Sequence, residues 1–163
     1  MTFRDATLED LPVIVEIYNS IIPGKIVTAD TEPVTVSDKL NWFLQHNPDT
    51  RPIWMVQDEA KQTIGWVSFR DFYGRPAYSG TAEISMYLDQ SFRGKGYGKE
   101  MMLYAISQCK RLGIHTLLGF IFEQNTNSRT MASSLGFEVW GNLKEVALMD
   151  QTACNLIIMG KKI

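Results

Sequence analysis

The chain has 163 residues, 45% of them hydrophobic, with 16 basic and 18 acidic side chains and a net charge of −2. That length and apolar content suit one domain with a packed core, and the charge balance lacks the basic excess that a nucleic-acid partner requires. No apolar run approaches the roughly 18 residues of a membrane span, the opening MTFRDATLED has no apolar signal core, and Cys109 and Cys154 form neither a metal pattern nor a disulfide framework, so a cytoplasmic, reduced, metal-free protein is expected.

A first strand is expected over Thr2–Ala6. Thr7 with Asp10 marks a helix start. Leu11, Ile14, Val15, Tyr18 and Ile21 recur at helical spacing and carry that helix to about Ile22, where Pro23 and Gly24 end it. Residues 25–35 form a polar loop. Ser37 is placed to cap a second helix, Asp38–His46, with Leu40, Phe43 and Leu44 on its apolar face. Strands follow at Ile53–Gln57 and Ile64–Arg70 with the turn DEAKQ between them. DFYGRPAYSG is a loop, broken by Gly74, Pro76 and Gly80. Thr81–Leu88 alternates strictly: Ala82, Ile84, Met86 and Leu88 point one way, Thr81, Glu83, Ser85 and Tyr87 the other. Met102, Ala105, Ile106, Cys109 and Leu112 keep helical period up to Gly113. Thr116–Phe122 is an apolar strand, Asn125–Leu135 a short helix closed by Gly136, and Phe137–Gly141 and Asn155–Met159 supply the last strands. The order β-α-α-β-β-β-α-β-α-β-β predicts a mixed α/β domain built on one sheet.

Residues 91–100 are SFRGKGYGKE, a glycine-rich turn between the alternating strand and a helix. Two common phosphate patterns fail here. In a Walker loop Gly98-Lys99 would be followed by Ser or Thr, not Glu100, and the first glycine would stand at Arg93. The dinucleotide fingerprint needs Gly-x-Gly-x-x-Gly, whereas the spacing is Gly-x-Gly-x-Gly. The physics of an anion cradle is nevertheless present. A loop without Cβ atoms lets several backbone N–H groups converge, the following helix adds unpaired N–H groups and a positive dipole end, and Arg93, Lys95 and Lys99 add charge. These residues alone leave open a plain turn with solvated basic side chains.

Arg93-x-x-Gly96-x-Gly98, after a strand and opening a helix, resembles the Arg/Gln-x-x-Gly-x-Gly/Ala motif of GNAT acyltransferases. Asn125-x-x-Ser128 and the close Leu135-Gly136-Phe137 resemble the later helix of the same fold. The resemblance covers nearly the whole chain. It implies an α/β (α+β) GNAT fold over residues 1–163, with a single mixed, mostly antiparallel sheet flanked by helices. It also implies acetyl-CoA as co-substrate, its pyrophosphate on Arg93, Gly94, Lys95, Gly96, Tyr97, Gly98 and Lys99, with Asn125 and Ser128 beside it. A narrower resemblance lies in YNS at 18–20, TADTEPV at 28–34, GRPAY at 74–78 and TAEISMYLD at 81–89. These are similar to the phosphinothricin N-acetyltransferase-like branch, which acetylates the α-amine of small glutamate-like compounds such as phosphinothricin or methionine sulfoximine. A homodimer is expected by the same resemblance.

The resemblance implies roles for further residues. Glu83 is the general base, acting through water. The strand parts from its neighbour at a bulge and frees main-chain groups of Met86, Tyr87 and Leu88 for the acetyl and pantetheine parts. Arg75, in the GRPAY loop, grips the acceptor's carboxylate; Tyr78 lines the same pocket and the loop at Thr28 closes its other side. Trp42, Trp54 and Trp66 are assigned to core or interface. Three features depart from the branch. Ser79-Gly80 replaces an Arg-His pair, no tyrosine lies on the Asn125 helix, where Ala132 stands instead, and the C-terminal segment lacks a Phe-Gly-Arg-Trp-like run. Two other functions share the fold: a peptide or protein acetyltransferase, and a non-catalytic acyl-CoA sensor, against which the strand carboxylate of Glu83 counts.

Overall fold

A computed structural model describes all 163 residues. Its elements are β1 (Thr2–Asp5), α1 (Leu11–Ile21), α2 (Val36–Leu44), β2 (Ile53–Gln57), β3 (Thr63–Asp71), β4 (Thr81–Leu88), α3 (Tyr97–Gln108), β5 (Thr116–Phe122), α4 (Thr126–Ser134), β6 (Glu138–Met149) and β7 (Thr152–Lys162). The seven strands form one sheet in the order β1-β2-β3-β4-β5-β7-β6. Every pairing is antiparallel except β4 with β5, so the sheet is mixed as expected.

Alternation along the strands decides what each face holds. Trp54, Val56, Val67, Phe69, Ala82 and Ile84 turn to one face and pack with Met101, Met102, Ala105 and Cys109 of the α3 side. Ile53, Met55 and Trp66 turn to the other, against Ile14, Ile17 and Tyr18 of α1. The sheet is therefore covered on both sides, with α1 and α2 on one and α3 on the other.

Asp10 joins β1 to the start of α1. Its carboxylate accepts the Thr7 N–H at 2.8 Å and both Nη groups of Arg4 at 2.7 Å. The Arg4 guanidinium, followed by the Thr7 amide, holds the Asp10 carboxyl below its ordinary 3.8. A carboxyl depressed in the folded state stabilises it above the unfolded-state value and loses that contribution as pH falls through the folded value. Urea midpoints of wild type and Asp10→Asn should therefore differ by a constant amount at neutral pH. The gap should close only below the ordinary carboxylate range.

Three expectations need correction. Thr35, not Ser37, caps α2: its hydroxyl accepts the Asp38 N–H at 3.2 Å while the Asp38 carboxylate accepts the Thr35 N–H at 2.8 Å. Both partners are satisfied in this reciprocal box, worth about 1 kcal/mol. The buried face of α2 is also rotated from the expected one. Leu40 and Leu44 are exposed, whereas Trp42 and Phe43 pack against the α1 cluster. The two larger rings cover more of that cluster than the leucines would. Finally, β6 and β7 outrun Phe137–Gly141 and Asn155–Met159. Register shifts between Val139 and Gly141 and between Leu143 and Ala147 break the period-two pattern that marks a strand.

Candidate active site

β4 and β5 pair only through Thr81–Thr116, Ala82–Leu117 and Glu83–Leu118. Beyond Glu83 the two strands part. No bulge accompanies the parting, contrary to expectation, because β3 pairs with β4 without a register shift from Ala82 to Leu88. The Asp89 N–H donates to Ile64 O at 2.9 Å, which fixes the alternation. Glu83, Ser85 and Tyr87 turn their main-chain groups to β3, and Met86 and Leu88 turn theirs to the gap. The edge of a split sheet thus presents unpaired peptide groups beside Glu83.

The glycine stretch stands at the other end of β4. Gly94 and Gly96 have φ of 77° and 86°, the left-handed region that glycine enters without penalty. Gly96 is the N-cap residue of α3. The amides of residues 94–98 find no acceptor within the protein, and the first loop bond is Lys99 N–H to Gly96 O at 3.0 Å. Five consecutive free amides at a helix N-terminus, flanked by Arg93, Lys95 and Lys99, form a fitting cradle for a pyrophosphate. Lys95 is steadied over the Phe92 ring at 5.0 Å.

Three hollows connect these features. One, of about 280 Å³, is lined by Ile26, Val27, Met86, Leu88, Arg93, Gly94, Gly98, Asn125 and Ser128. A second, of about 130 Å³, shares Val27, Met86, Tyr87, Asn125, Ser128 and Met131 with it and ends at Glu83 and Ser85. The third, of about 170 Å³, lies across Glu83 and is lined by Tyr18, Lys39, Trp42, Trp66, Ser68, Arg70, Ser85 and Tyr87. The first two follow the shape of a long phosphorylated thioester, with its head in the cradle and its acyl end at the split. Asn125 is buried and spends its Oδ1 on the Ser128 N–H at 3.2 Å, which caps α4 at the groove wall.

Glu83 is the residue common to the second and third hollows together with Ser85 and Tyr87. Its side chain is 17% exposed, and its Oε2 accepts a hydrogen bond from Arg70 Nη2 at 2.6 Å. Two tyrosines flank it. Burial, with the Glu83 charge adding to it, pushes the Tyr87 hydroxyl up to about 12. Burial and a hydrogen bond to Asp30 push the Tyr18 hydroxyl up as well. Both are therefore neutral donors at physiological pH. Tyr18 donates to Asp30 Oδ2 at 2.5 Å and pairs with Thr28 Oγ1. Lys39 stands 3.8 Å from the same Asp30 and 4.4 Å from the centre of the Tyr18 ring.

Most of the expected donor residues come together: Met86, Tyr87, Leu88, Arg93, Gly94, Gly98, Asn125 and Ser128 line one groove, and Lys95, Gly96, Tyr97 and Lys99 complete the same turn. Thr28 is buried behind Tyr18 and touches the hollow at Glu83 only through that hydroxyl. Arg75 and Tyr78 line a separate hollow with Thr50, Arg51, Asp71 and Ser79, not the one at Glu83. Trp54 is core, and Trp66 is buried with its indole N–H donated to Ile14 O at 3.1 Å. Trp42 and Trp66 both line the hollow across Glu83, contrary to their assignment to core or interface alone. The Trp42 indole lies on the helix face that also carries Lys39. Gly80 has a local reason. A Cβ there would lie 2.1 Å from His115 Nε2, so the imidazole fills the place that a side chain at 80 would need. Ala132 is 1% exposed in the core and offers no proton donor to the groove.

Comparison with known proteins agrees with this geometry. Residues 1–138 match the family described as Acetyltransferase (GNAT) domain. The chain is 43% identical over 163 residues to YwnH of Bacillus subtilis (strain 168), which carries a provisional phosphinothricin acetyltransferase name; the match covers 100% of this chain and 99% of that one. It is 30% identical over 145 residues to an L-methionine sulfoximine/L-methionine sulfone acetyltransferase of Pseudomonas aeruginosa, covering 89% of this chain and 84% of that protein. A crystal structure of a GNAT superfamily phosphinothricin acetyltransferase from Sinorhizobium meliloti, in complex with acetyl-CoA, superposes with a TM-score of 0.91 at 27% identity over 99% of this chain and 88% of that one.

Proposed function

The chain belongs to the GNAT acetyltransferase family, and from that premise we propose that it transfers the acetyl group of acetyl-CoA to the α-amine of a small amino-acid-like acceptor of the phosphinothricin or methionine sulfoximine type. The observation that carries this proposal is the position of Glu83, on the wall between the groove that fits the donor and a second, cation-lined hollow.

Acetyl-CoA supplies an acetyl thioester. The amides of residues 94–98 hold its pyrophosphate, the unpaired N–H of Met86 faces the acyl end and polarises the carbonyl there, and that of Leu88 faces the part of the groove nearer the cradle. An alkyl amine resembles lysine, with a pKa near 10.4, and arrives mostly protonated. Glu83 takes that proton, through water, so that the nitrogen lone pair can attack the carbonyl carbon. Ser85 and Tyr87 sit beside the same point, and the ring walls of Trp42 and Trp66 limit water. Attack forms the C–N bond, collapse of the tetrahedral intermediate breaks the C–S bond, the nitrogen sheds its second proton to water, and the departing thiolate takes a proton from solvent, since Ala132 offers none.

Arg70 and Lys39 are the cations that line the acceptor hollow, so they hold the acceptor's carboxylate. Arg75, on the loop that joins β3 to β4, is the competing anchor. Replacing each arginine by alanine separates them: Arg70→Ala should raise KM for L-methionine sulfone about tenfold or more, as loss of a charge-assisted pair does, and Arg75→Ala should raise it less. The reverse ranking would return the anchor to Arg75. A peptide acceptor has no free α-carboxylate beside its amine, which disfavours the protein-acetyltransferase alternative. Glu83 disfavours the sensor.

The donor is a cytoplasmic metabolite and both cysteines are free thiols, which supports a cytoplasmic site of action. Edge strand β6 exposes Val139, Leu143, Val146 and Leu148. A second copy placed by a twofold axis covers this edge on both chains at once, which supports the homodimer. Light scattering should give twice the 18.5 kDa chain mass; a monomer at micromolar concentration would refute that assembly.

A further inference from the structure

Glu83 does not stand free in the acceptor hollow. Arg70 and Glu83 occupy opposing positions of the β3–β4 ladder, and the Arg70 guanidinium donates to Glu83 Oε2 at 2.6 Å. That oxygen is committed to the arginine, and the pair pins the carboxylate toward β3. The partners differ in access: the Arg70 side chain is 61% exposed, that of Glu83 only 17%. The cation belongs to the mouth of the hollow and the base to its wall. Lys39, the other cation of the hollow, is already turned to Asp30 and the Tyr18 ring. Lys39 has no fork to offer; Arg70 has one, tied to Glu83 through Nη2, and is therefore the group that can grip an incoming carboxylate by two bonds.

We propose that Arg70 is a latch on the base, released by the acceptor's own carboxylate. With no acceptor bound, Arg70 holds Glu83 aside. An acceptor carboxylate has the same charge and fork geometry as Glu83 and can take both Nη groups of Arg70 in a bidentate pair. Glu83 is then freed toward the amine that the same acceptor carries on its α-carbon. The arginine half of this pair is open to solvent, which screens it, and the exchange replaces one carboxylate by another of the same charge. Selectivity follows from this exchange: an amine without a neighbouring carboxylate, such as a polyamine, enters the hollow but leaves the base latched. Arg70 is thus a positioning and specificity residue. The inference rests on the amino-acid acceptor proposed above and adds the reason why such an acceptor is required.

The test uses L-methionine sulfone and its primary carboxamide as paired acceptors with the full-length enzyme and acetyl-CoA. Wild type should prefer the acid in kcat/KM. Arg70→Ala should lose that preference by raising KM for the acid while kcat for the carboxamide rises, because nothing then restrains Glu83; an unchanged kcat for the carboxamide would count against the latch. Arg70→Lys should recover part of the preference, having charge but no fork. Calorimetry with bound coenzyme A gives a readout independent of turnover. Glu83→Gln should bind L-methionine sulfone about two- to fivefold more tightly than wild type, since the competing carboxylate is gone. Unchanged or weaker binding by Glu83→Gln would overturn the latch. So would equal loss of kcat on both acceptors in Arg70→Ala, the signature of a merely structural role. A wild-type enzyme that neither binds nor acetylates L-methionine sulfone would instead overturn the acceptor assignment, and the latch with it.

Discussion

Glu83→Gln is expected to bind acetyl-CoA as wild type does and to turn over roughly 10²–10⁴ more slowly, the usual contribution of a positioned general base. The amide keeps the shape of the carboxylate, so the wall between the two hollows stays intact. It loses the ability to take a proton and the charge that pairs with Arg70, neither of which belongs to the donor cradle. Donor affinity should hold because the pyrophosphate cradle is built from residues 93–99, at the far end of β4 from Glu83. Isothermal titration with acetyl-CoA and a coupled thiol assay separate the two quantities. A variant with near-wild-type kcat would remove Glu83 from the chemistry. One that loses donor binding as well would show that the carboxylate is structural.

The second large effect is expected at Gly96. Its φ of 86° lies where side-chain-bearing residues are strained, at roughly 1–3 kcal/mol. Space is not the obstacle, because a Cβ on Gly96 would meet nothing within 4 Å. Gly96→Val therefore acts through the backbone. The turn relaxes toward negative φ and takes the amides of residues 94–98 out of convergence, so the Kd for acetyl-CoA should rise by roughly 5- to 150-fold. Because Glu83 and the acceptor hollow are untouched, kcat at saturating donor should stay close to wild type. Unchanged affinity would show that these amides do not carry the pyrophosphate.

The features that were legible in the sequence are local ones. Strand β4 declared itself by alternation, which placed Glu83, Ser85 and Tyr87 on one face. The donor loop is a run of ten consecutive residues whose glycines and charges need no partner from elsewhere to be recognised. The acceptor hollow is different, since its residues come from α1, α2, β3 and β4. By sequence, Arg70 is simply the last residue of a strand. It becomes a partner of Glu83 only through the hairpin register, which the irregular loop 72–80 conceals. Once β3 and β4 are paired, the parity that sets Trp66, Ser68 and Arg70 on the face of Glu83 follows at once. Lys39 and Trp42 share a helix face at i and i+3, a signal present in the sequence. It was masked by the leucines at 40 and 44, which tertiary packing leaves at the surface. The parting of β4 from β5 had no signal of its own, because the apolar side chains of both strands continue past the last paired residue.

The most direct measurement is the site of acetylation on L-methionine sulfoximine, which carries two nitrogens, an α-amine beside the carboxylate and an imine nitrogen on sulfur. If Arg70 holds the carboxylate beside Glu83, as proposed, only the α-amine reaches the base. Incubation with acetyl-CoA followed by NMR of the isolated product should show acetyl on the α-nitrogen alone, with one free thiol released per acetyl transferred. Acetyl on the sulfoximine nitrogen, or thiol release with no acetylated product, would contradict the account.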